Sequence, residues 1–268
     1  MKTAIALSAL KTGFSPLFFS GEIEYGIKTA KELGFDGVEL SLKKPSAIDL
    51  DSILRELKRT GLSVPTIGTG QSYVEDGLFF CSENNEIRKQ VVERIKEIID
   101  FAAKIESNVT IGGIRGKISK TIEPNLLQKI KESVFECCVY AAKFGVGIII
   151  EPVNHYEVSC IFTIKEAVEF VKDVNHPALS VLYDSYHVNM EESSIIEPLL
   201  TAGQLLSHVH FADNNRLVPG YGCFNFTEVV KVLKQLNYSG YICIEALPKP
   251  DSLTAAKQAI LHLHSLLS

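Results

Sequence analysis

Residues 147–151 read Gly-Ile-Ile-Ile-Glu, a short apolar run that ends in a carboxylate. A continuous run of branched apolar residues, without alternating polar ones, is typical of a parallel strand covered on both faces. Further runs of this kind recur along the chain, with amphipathic stretches between them. The predicted strands are Ala4–Ser8, Gly37–Leu40, Ser63–Ile67, Val109–Gly112, Gly147–Glu151, Ser180–Asp184, Leu206–Phe211 and Tyr241–Glu245.

The stretches between the strands have helical spacing, clearest from Ile87 to Ile105, where apolar residues fall on one face. Further predicted helices are Glu22–Leu33 before Gly34, Asn125–Phe144, a capped helix from Thr163 to Asp173, Phe226–Leu236 and Ser252 to about Leu266. Eight strands alternating with helices predict an α/β protein, a (β/α)₈ barrel whose one domain spans residues 1–268. A doubly wound open sheet is the alternative, because periodicity does not distinguish a closed sheet from an open one.

The composition is that of a globular protein in a reducing compartment. The chain has 268 residues, is 46% hydrophobic and carries a net charge of −5, with no Lys/Arg-rich stretch to bind nucleic acid. Six cysteines without a Cys-x-x-Cys pair suggest free thiols and a cytoplasmic location. Residues 1–10 resemble a short signal peptide, but a first buried strand explains them better. No apolar run approaches the length of about 20 residues that spans a membrane.

Four predicted strands end in or next to a metal-binding side chain: Glu151, Asp184, His210 and Glu245. In a parallel barrel these side chains converge at the carboxyl-end mouth. Four such groups in apolar surroundings would repel one another or stay poorly solvated without a cation. The alternative is that each caps its own strand and bonds to a nearby loop.

Three carboxylates and one imidazole form an oxygen-rich ligand set. Such a set suits Mn²⁺ best, with Mg²⁺ or Co²⁺ possible, and suits structural Zn²⁺ less. His208 and His210 point the same way because they lie two apart on one strand. We expect His210, nearer the mouth, to reach the metal, and His208 to be a buried, hydrogen-bonded histidine.

These residues lie in motifs that resemble a known family. The motifs are Glu151-Pro-Val-Asn154, Asp184-Ser-Tyr-His187 and His208-Val-His210 with the residues up to Gly220. They resemble the xylose-isomerase-like barrel superfamily and, within it, the D-tagatose/D-psicose 3-epimerase group. Two loop motifs, Gly68-Thr-Gly-Gln71 and Ile111-Gly-Gly-Ile-Arg115, look closest to the 5-keto-L-gluconate epimerases.

The resemblance implies a role for each residue. Glu151, Asp184, His210 and Glu245 match the family's metal ligands, and Glu151 and Glu245 also match its two acid/base carboxylates. Glu157, His187 and Arg216 match the residues that grip the carbonyl end of the substrate. The resemblance also implies a homo-oligomer, a dimer or a tetramer. Two further residues are expected at the substrate from their positions alone. Arg115 is expected to bind a carboxylate, or else to be an exposed loop arginine or an ion-pair partner. Gln71 is expected to line the pocket, or else to be an ordinary loop glutamine.

The chemistry follows from the ligand set. A cation chelated by a carbonyl and a neighbouring hydroxyl stabilises the enediolate formed when the adjacent carbon loses a proton. Two carboxylates, Glu151 and Glu245, can then invert that carbon, one removing the proton and the other returning one to the opposite face. The sequence therefore predicts a metal-dependent epimerase of a free keto sugar or keto sugar acid.

Other functions stay open at this point. Return of the proton to the neighbouring carbon would make the chain an aldose–ketose isomerase, such as a hydroxypyruvate isomerase. A DNA-repair endonuclease of the same superfamily would need more histidines at the mouth and a less acidic chain. A non-catalytic sugar-binding barrel would not need two opposed carboxylates.

Overall fold

The strands form a closed barrel of eight parallel strands. The computed structural model describes residues 1–13, 16–119 and 121–268. The first strand pairs with the last in parallel, with Lys2 opposite Tyr241, so the alternative of an open sheet is wrong. In chain order the strands are β1 Lys2–Ser8, β2 Gly37–Ser41, β3 Thr66–Gly68, β4 Asn108–Ile111, β5 Ile148–Ile150, β6 Leu179–Asp184, β7 Leu206–Phe211 and β8 Tyr241–Ile244.

Helices surround the barrel and connect its strands. In the described ranges they are α1 Ile23–Leu33, α2 Leu50–Thr60, α3 Gly70–Asp76, α4 Asn85–Lys104, α5 Pro124–Ala142, α6 Ile164–Val174, α7 Ser185–Glu191, α8 Glu197–Ala202, α9 Phe226–Gln235 and α10 Ser252–Leu267. The capping box at Thr163 and Glu166 opens α6 as predicted. Gly34 ends α1 with a left-handed backbone, φ 92°, which glycine adopts without steric cost.

Each predicted strand is confirmed to within a few residues, including β1, which favours the strand interpretation of the first residues. The Gly68–Asn85 stretch, which shows no periodicity, holds the short helix α3. Among the described residues, no helix is both long enough and apolar enough to cross a membrane. All six cysteines are free thiols, and only Cys223 is exposed.

The barrel interior contains both small apolar and polar side chains. Outward-facing residues of the strands, such as Ile5 and Val38, pack against the helices in the main hydrophobic core. A separate small cluster of Ala4, Ala6 and Cys243, packed with Leu17, lies apart from that core. Small side chains leave room for larger polar ones in the same interior. The polar groups described next occupy that room, toward the carboxyl ends of the strands.

Candidate active site

The four predicted ligands meet at the carboxyl-end mouth of the barrel. Glu151 and Glu245 directly follow β5 and β8, and the register of β6 and β7 sets Asp184 beside His210. His210 Nδ1 lies 3.3 Å from a Glu151 oxygen, 3.5 Å from an Asp184 oxygen and 3.9 Å from a Glu245 oxygen. One potential ligand atom from each of the four residues lies within 4.8 Å of the others. The structure therefore brings together the whole set.

Two atoms of this cluster are buried without a hydrogen bond. Among the described residues, Glu151 Oε1 and His210 Nδ1 have no hydrogen-bond partner. A buried polar atom without a partner is costly, and a bound cation satisfies such atoms without a donor of its own. Asp184 differs, because its Oδ1 accepts the N–H groups of Tyr186 and His187 at the start of α7, and its Oδ2 faces His210. These residues fit a divalent cation.

Crowding of like charges changes the proton affinity of the cluster. Burial raises the pKa of Glu245 well above its usual value; the charge of His210 opposes this, and the neighbouring Glu151 and Asp184 add to it. Burial also tends to raise the pKa of Asp184, but His187 and His210 lower it overall. The pKa values of Glu245 and Asp184 therefore shift in opposite directions, in a cluster that has more carboxylates than imidazoles. A divalent cation would supply the missing positive charge.

Glu151 occupies space that is open only because residue 112 is glycine. A Cβ atom on Gly112 would lie 1.9 Å from Glu151 Oε2 and 3.0 Å from its Cδ. Real non-bonded contacts are not that short, so any larger residue would displace the carboxylate. The two adjacent glycines after β4 therefore have unequal roles, because a Cβ on Gly113 would meet only Gly70 Cα, at 3.8 Å.

Arg115 lies near Glu151 but does not face the pocket. Its side chain is buried, and its guanidinium donates to the backbone carbonyls of Ile111, Glu151, Cys160 and Ile161 at 2.5 to 3.2 Å. Those bonds occupy four of its five N–H donors, so the expectation that Arg115 binds a substrate carboxylate is corrected. The residue instead ties the end of β4 to the loop after β5, which carries Glu151.

Gln71 is likewise directed away from the pocket. Its Nε2 donates to Ser8 Oγ at 2.7 Å, and the residue is buried in α3. The neighbouring Gly70 and the exposed face of α3, with Tyr73 and Val74, line the cavity instead. The expectation that Gln71 lines the pocket is therefore corrected, although its helix does form one wall.

Glu157, His187 and Arg216 do line the cavity above the ligand cluster. The cavity has a volume of about 220 Å³ and contains Glu151, His210 and Glu245 as well. Arg216 Nη1 donates to Glu157 Oε1 at 2.8 Å, and its guanidinium lies over the Tyr186 ring, 4.7 Å from the centroid. Asn154 Nδ2 donates to Glu157 and contacts His187 Nδ1 at 2.9 Å. These contacts, several of them charge-assisted, hold the three side chains in fixed positions.

Glu39 is a site residue that the sequence interpretation missed. It lies in β2, is 2% exposed and accepts hydrogen bonds at Oε2 from His208 Nε2 at 3.1 Å and His210 Nε2 at 2.8 Å. Burial tends to raise the pKa of Glu39, but the two histidines lower it to about 2. His208 is the buried, hydrogen-bonded histidine that we expected. A carboxylate inside the apolar run Gly-Val-Glu-Leu was the available signal, since a buried charge requires a partner.

Comparisons with known proteins identify the family. The family model described as "Xylose isomerase-like TIM barrel" matches residues 27–266. The ketose 3-epimerase of Arthrobacter globiformis is 27% identical over 245 residues, which cover 88% of this chain and 83% of that protein. The D-psicose 3-epimerase of Ruminiclostridium cellulolyticum is 30% identical over 236 residues, covering 85% and 79%. The crystal structure of a D-allulose 3-epimerase from Methylomonas sp. shares the fold with a TM-score of 0.86 at 24% identity, covering 99% of this chain and 98% of that one.

The chain therefore belongs to the xylose isomerase-like TIM barrel family. Its sequence relatives are epimerases of sugars, so the resemblance to the epimerase group within that family is confirmed. The chain is accordingly an isomerase of the racemase and epimerase class.

Proposed function

We propose that this protein is a metal-dependent epimerase of free keto sugars or keto sugar acids that inverts a carbon next to the carbonyl. The observation that carries the proposal is the pair Glu151 and Glu245, which line one cavity and face the same imidazole from the ends of β5 and β8. The printed names of the relatives, a ketose 3-epimerase and a D-psicose 3-epimerase, support this substrate class.

Glu151, Asp184, His210 and Glu245 would hold the divalent cation, for which we favour Mn²⁺ because three of the four ligands are carboxylates. When bound there, the cation would neutralise negative charge that develops on the substrate oxygens. The surrounding side chains exclude most water, since Asp184 and His210 are at most 2% exposed. Electrostatic stabilisation is stronger in such a dry site.

The two glutamates divide the proton transfer between them. Glu151 removes the proton from the carbon next to the carbonyl, and the carboxyl of Glu245 delivers a proton to the opposite face. Glu245 lines the same cavity as Glu151 but follows a different strand, so it is the second carboxyl group available to deliver a proton. In the reverse direction the two residues exchange roles.

The cavity favours a small substrate. Its volume of about 220 Å³ lies below the range of about 300–1,000 Å³ that is usual for drug-sized ligands. Glu157, His187 and Arg216 offer both donors and acceptors to carbonyl and hydroxyl oxygens. We propose that they orient the carbonyl end of the sugar, while Tyr73 and Val74 contact the distal end.

The proposal is tested by exchange from D₂O. The protein, loaded with Mn²⁺ and then freed of excess metal, is incubated with individual ketohexoses and ketohexuronates, and products are read by NMR. We expect deuterium at one carbon beside the carbonyl, together with the epimer at that carbon. Label appearing with an aldose product would mean an isomerase instead. No exchange into any ketose would contradict a catalytic role. The Glu151→Gln/Glu245→Gln double variant is the control for background exchange, because either glutamate alone can still exchange the hydrogen on its own face.

A further inference from the structure

The interior of the barrel contains a hydrogen-bonded chain of three side chains below the ligand cluster. His208 and His210 both project inward from β7, and Glu39 projects inward from β2, with two strands, β8 and β1, between them around the barrel. All three are at most 2% exposed. The contact therefore crosses the barrel interior, where each hydrogen bond is strong because little water competes.

The geometry specifies which nitrogen of His210 faces the mouth. A carboxylate has no hydrogen to donate, so the bond between Glu39 Oε2 and His210 Nε2 requires the proton on Nε2. The opposite nitrogen, Nδ1, then has a free lone pair in the neutral imidazole, and it is Nδ1 that lies 3.3 to 3.9 Å from the three carboxylates. Histidines that bind metals commonly donate their other nitrogen to a carboxylate, which fixes the ring and its tautomer.

His208 gives Glu39 a defined orientation. Its Nε2 bonds to the same oxygen, Oε2, and its ring stands nearly perpendicular to that of His210, at 84° with centroids 5.0 Å apart. Two donors from rings at a large angle leave that oxygen little freedom to rotate. The carboxylate is therefore held in place before any ligand arrives.

We propose that Glu39, held by His208, is a positioning residue that keeps Nδ1 of His210 directed at the ligand cluster and thereby strengthens binding of the divalent cation. This inference rests on the metal site of the proposed function but not on the reaction. Neither Glu39 nor His208 is needed as a ligand itself, because His210 and the three carboxylates supply that set.

The test measures the affinity for Mn²⁺ directly, by electron paramagnetic resonance of the free ion. The Glu39→Gln variant keeps the shape of the side chain but loses its charge, and the His208→Phe variant keeps an aromatic ring but loses the donor. We expect affinity to fall about 10- to 100-fold in Glu39→Gln, and in the same direction but less in His208→Phe. Thr66→Val is the matched control, because it removes a buried interior hydroxyl that bonds to Thr110 and not to the histidines. It should bind Mn²⁺ like the wild type.

A spectroscopic reading separates positioning from general damage to the core. In the Co²⁺-loaded protein, the paramagnetically shifted N–H proton of His210 should exchange slowly with water, since Nε2–H is bonded to Glu39. In Glu39→Gln and not in Thr66→Val, this signal should shift and exchange faster.

Equal Mn²⁺ affinity and an unchanged N–H signal in Glu39→Gln would overturn the inference while leaving the metal site intact. If Glu39→Gln does not fold, unchanged affinity in His208→Phe has the same meaning. Failure of the wild type to bind Mn²⁺ would overturn the metal site and this inference together, whereas Mn²⁺ binding without epimerisation would overturn only the reaction.

Discussion

Replacing Gly112 with alanine tests the placement of Glu151 most directly. The added Cβ would lie 1.9 Å from Glu151 Oε2, whereas real Cβ contacts shorter than 3.0 Å are essentially never seen. The oxygen therefore has to move away by more than about 1 Å. A displacement of about 1 Å at a reacting group can cost about 100-fold in rate, equivalent to about 2.7 kcal/mol of activation free energy. We therefore expect kcat of Gly112→Ala to fall about 100-fold, with weaker Mn²⁺ binding.

The matched control is Gly113→Ala, in the same turn. Its Cβ would meet only Gly70 Cα at 3.8 Å, an ordinary contact. Initial rates of epimerisation, measured at saturating Mn²⁺ on the sugar found by the exchange screen, should separate the two variants. Circular dichroism and thermal unfolding should show both folded, because the clash involves the end of a side chain. Similar rates for Gly112→Ala and Gly113→Ala would refute this position of the Glu151 carboxylate.

Four further outcomes follow from the same contacts. Glu245→Gln should lower epimerisation by about 100- to 10,000-fold, as loss of a general acid or base does; full activity, followed by NMR, would contradict the two-glutamate mechanism. Arg216→Lys loses the planar group that lies over the Tyr186 ring. It should raise KM about tenfold with a smaller change in kcat, measured by initial-rate kinetics. An unchanged KM would argue against contact between Arg216 and the substrate. Arg115→Met removes hydrogen bonds to four buried carbonyls, of which those of Glu151 and Cys160 lose their donor while those of Ile111 and Ile161 keep a backbone N–H. It should lower the free energy of unfolding by about 3 kcal/mol in urea titrations. A raised KM at unchanged stability would instead restore Arg115 as a substrate ligand. Mn²⁺ at 100 times its Kd should stabilise the folded protein by about 2.7 kcal/mol, seen in calorimetry as a higher unfolding temperature that EDTA reverses; no shift would argue against a metal site.

The ligand cluster could be predicted from the sequence because its geometry follows from regular structure. Once β5 to β8 are taken as parallel strands of a barrel, a residue at a strand end has a defined place and direction. Glu151, Asp184, His210 and Glu245 occupy such positions, and the structure brings them within 4.8 Å. Closure of the sheet itself was less certain from sequence, since the pairing of β1 with β8 joins opposite ends of the chain.

Loop residues were harder to place, because a loop's path decides where its side chains point. Arg115 follows β4 as expected, but the turn directs its guanidinium to carbonyls of the next connection. Gln71 is in a helix that lines the cavity, yet its side chain donates to Ser8 of β1 and does not itself line the cavity. Composition and spacing contain no direct information on these non-local contacts.

Glu39 shows a different limit. Its strand was recognised, and alternation along β2 sets its side chain opposite those of Val38 and Leu40, inside the barrel. What the sequence did not reveal was its partner, because His208 and His210 come about 170 residues later in the chain. A buried carboxylate in an apolar strand could still have been read as a residue that needs such a partner.

The closure of β1 against β8 also has a consequence for assembly of the protein. Glu245 directly follows the last strand, and that strand gains one of its two neighbours only when it pairs with the first. Pairing between such distant segments is slow to form, because the entropy cost of closing a long loop comes before any contact stabilises it. The complete ligand set therefore exists only in a finished barrel. A cation that bound this set, and not partly folded chains, would stabilise the closed barrel over open forms by its own binding free energy.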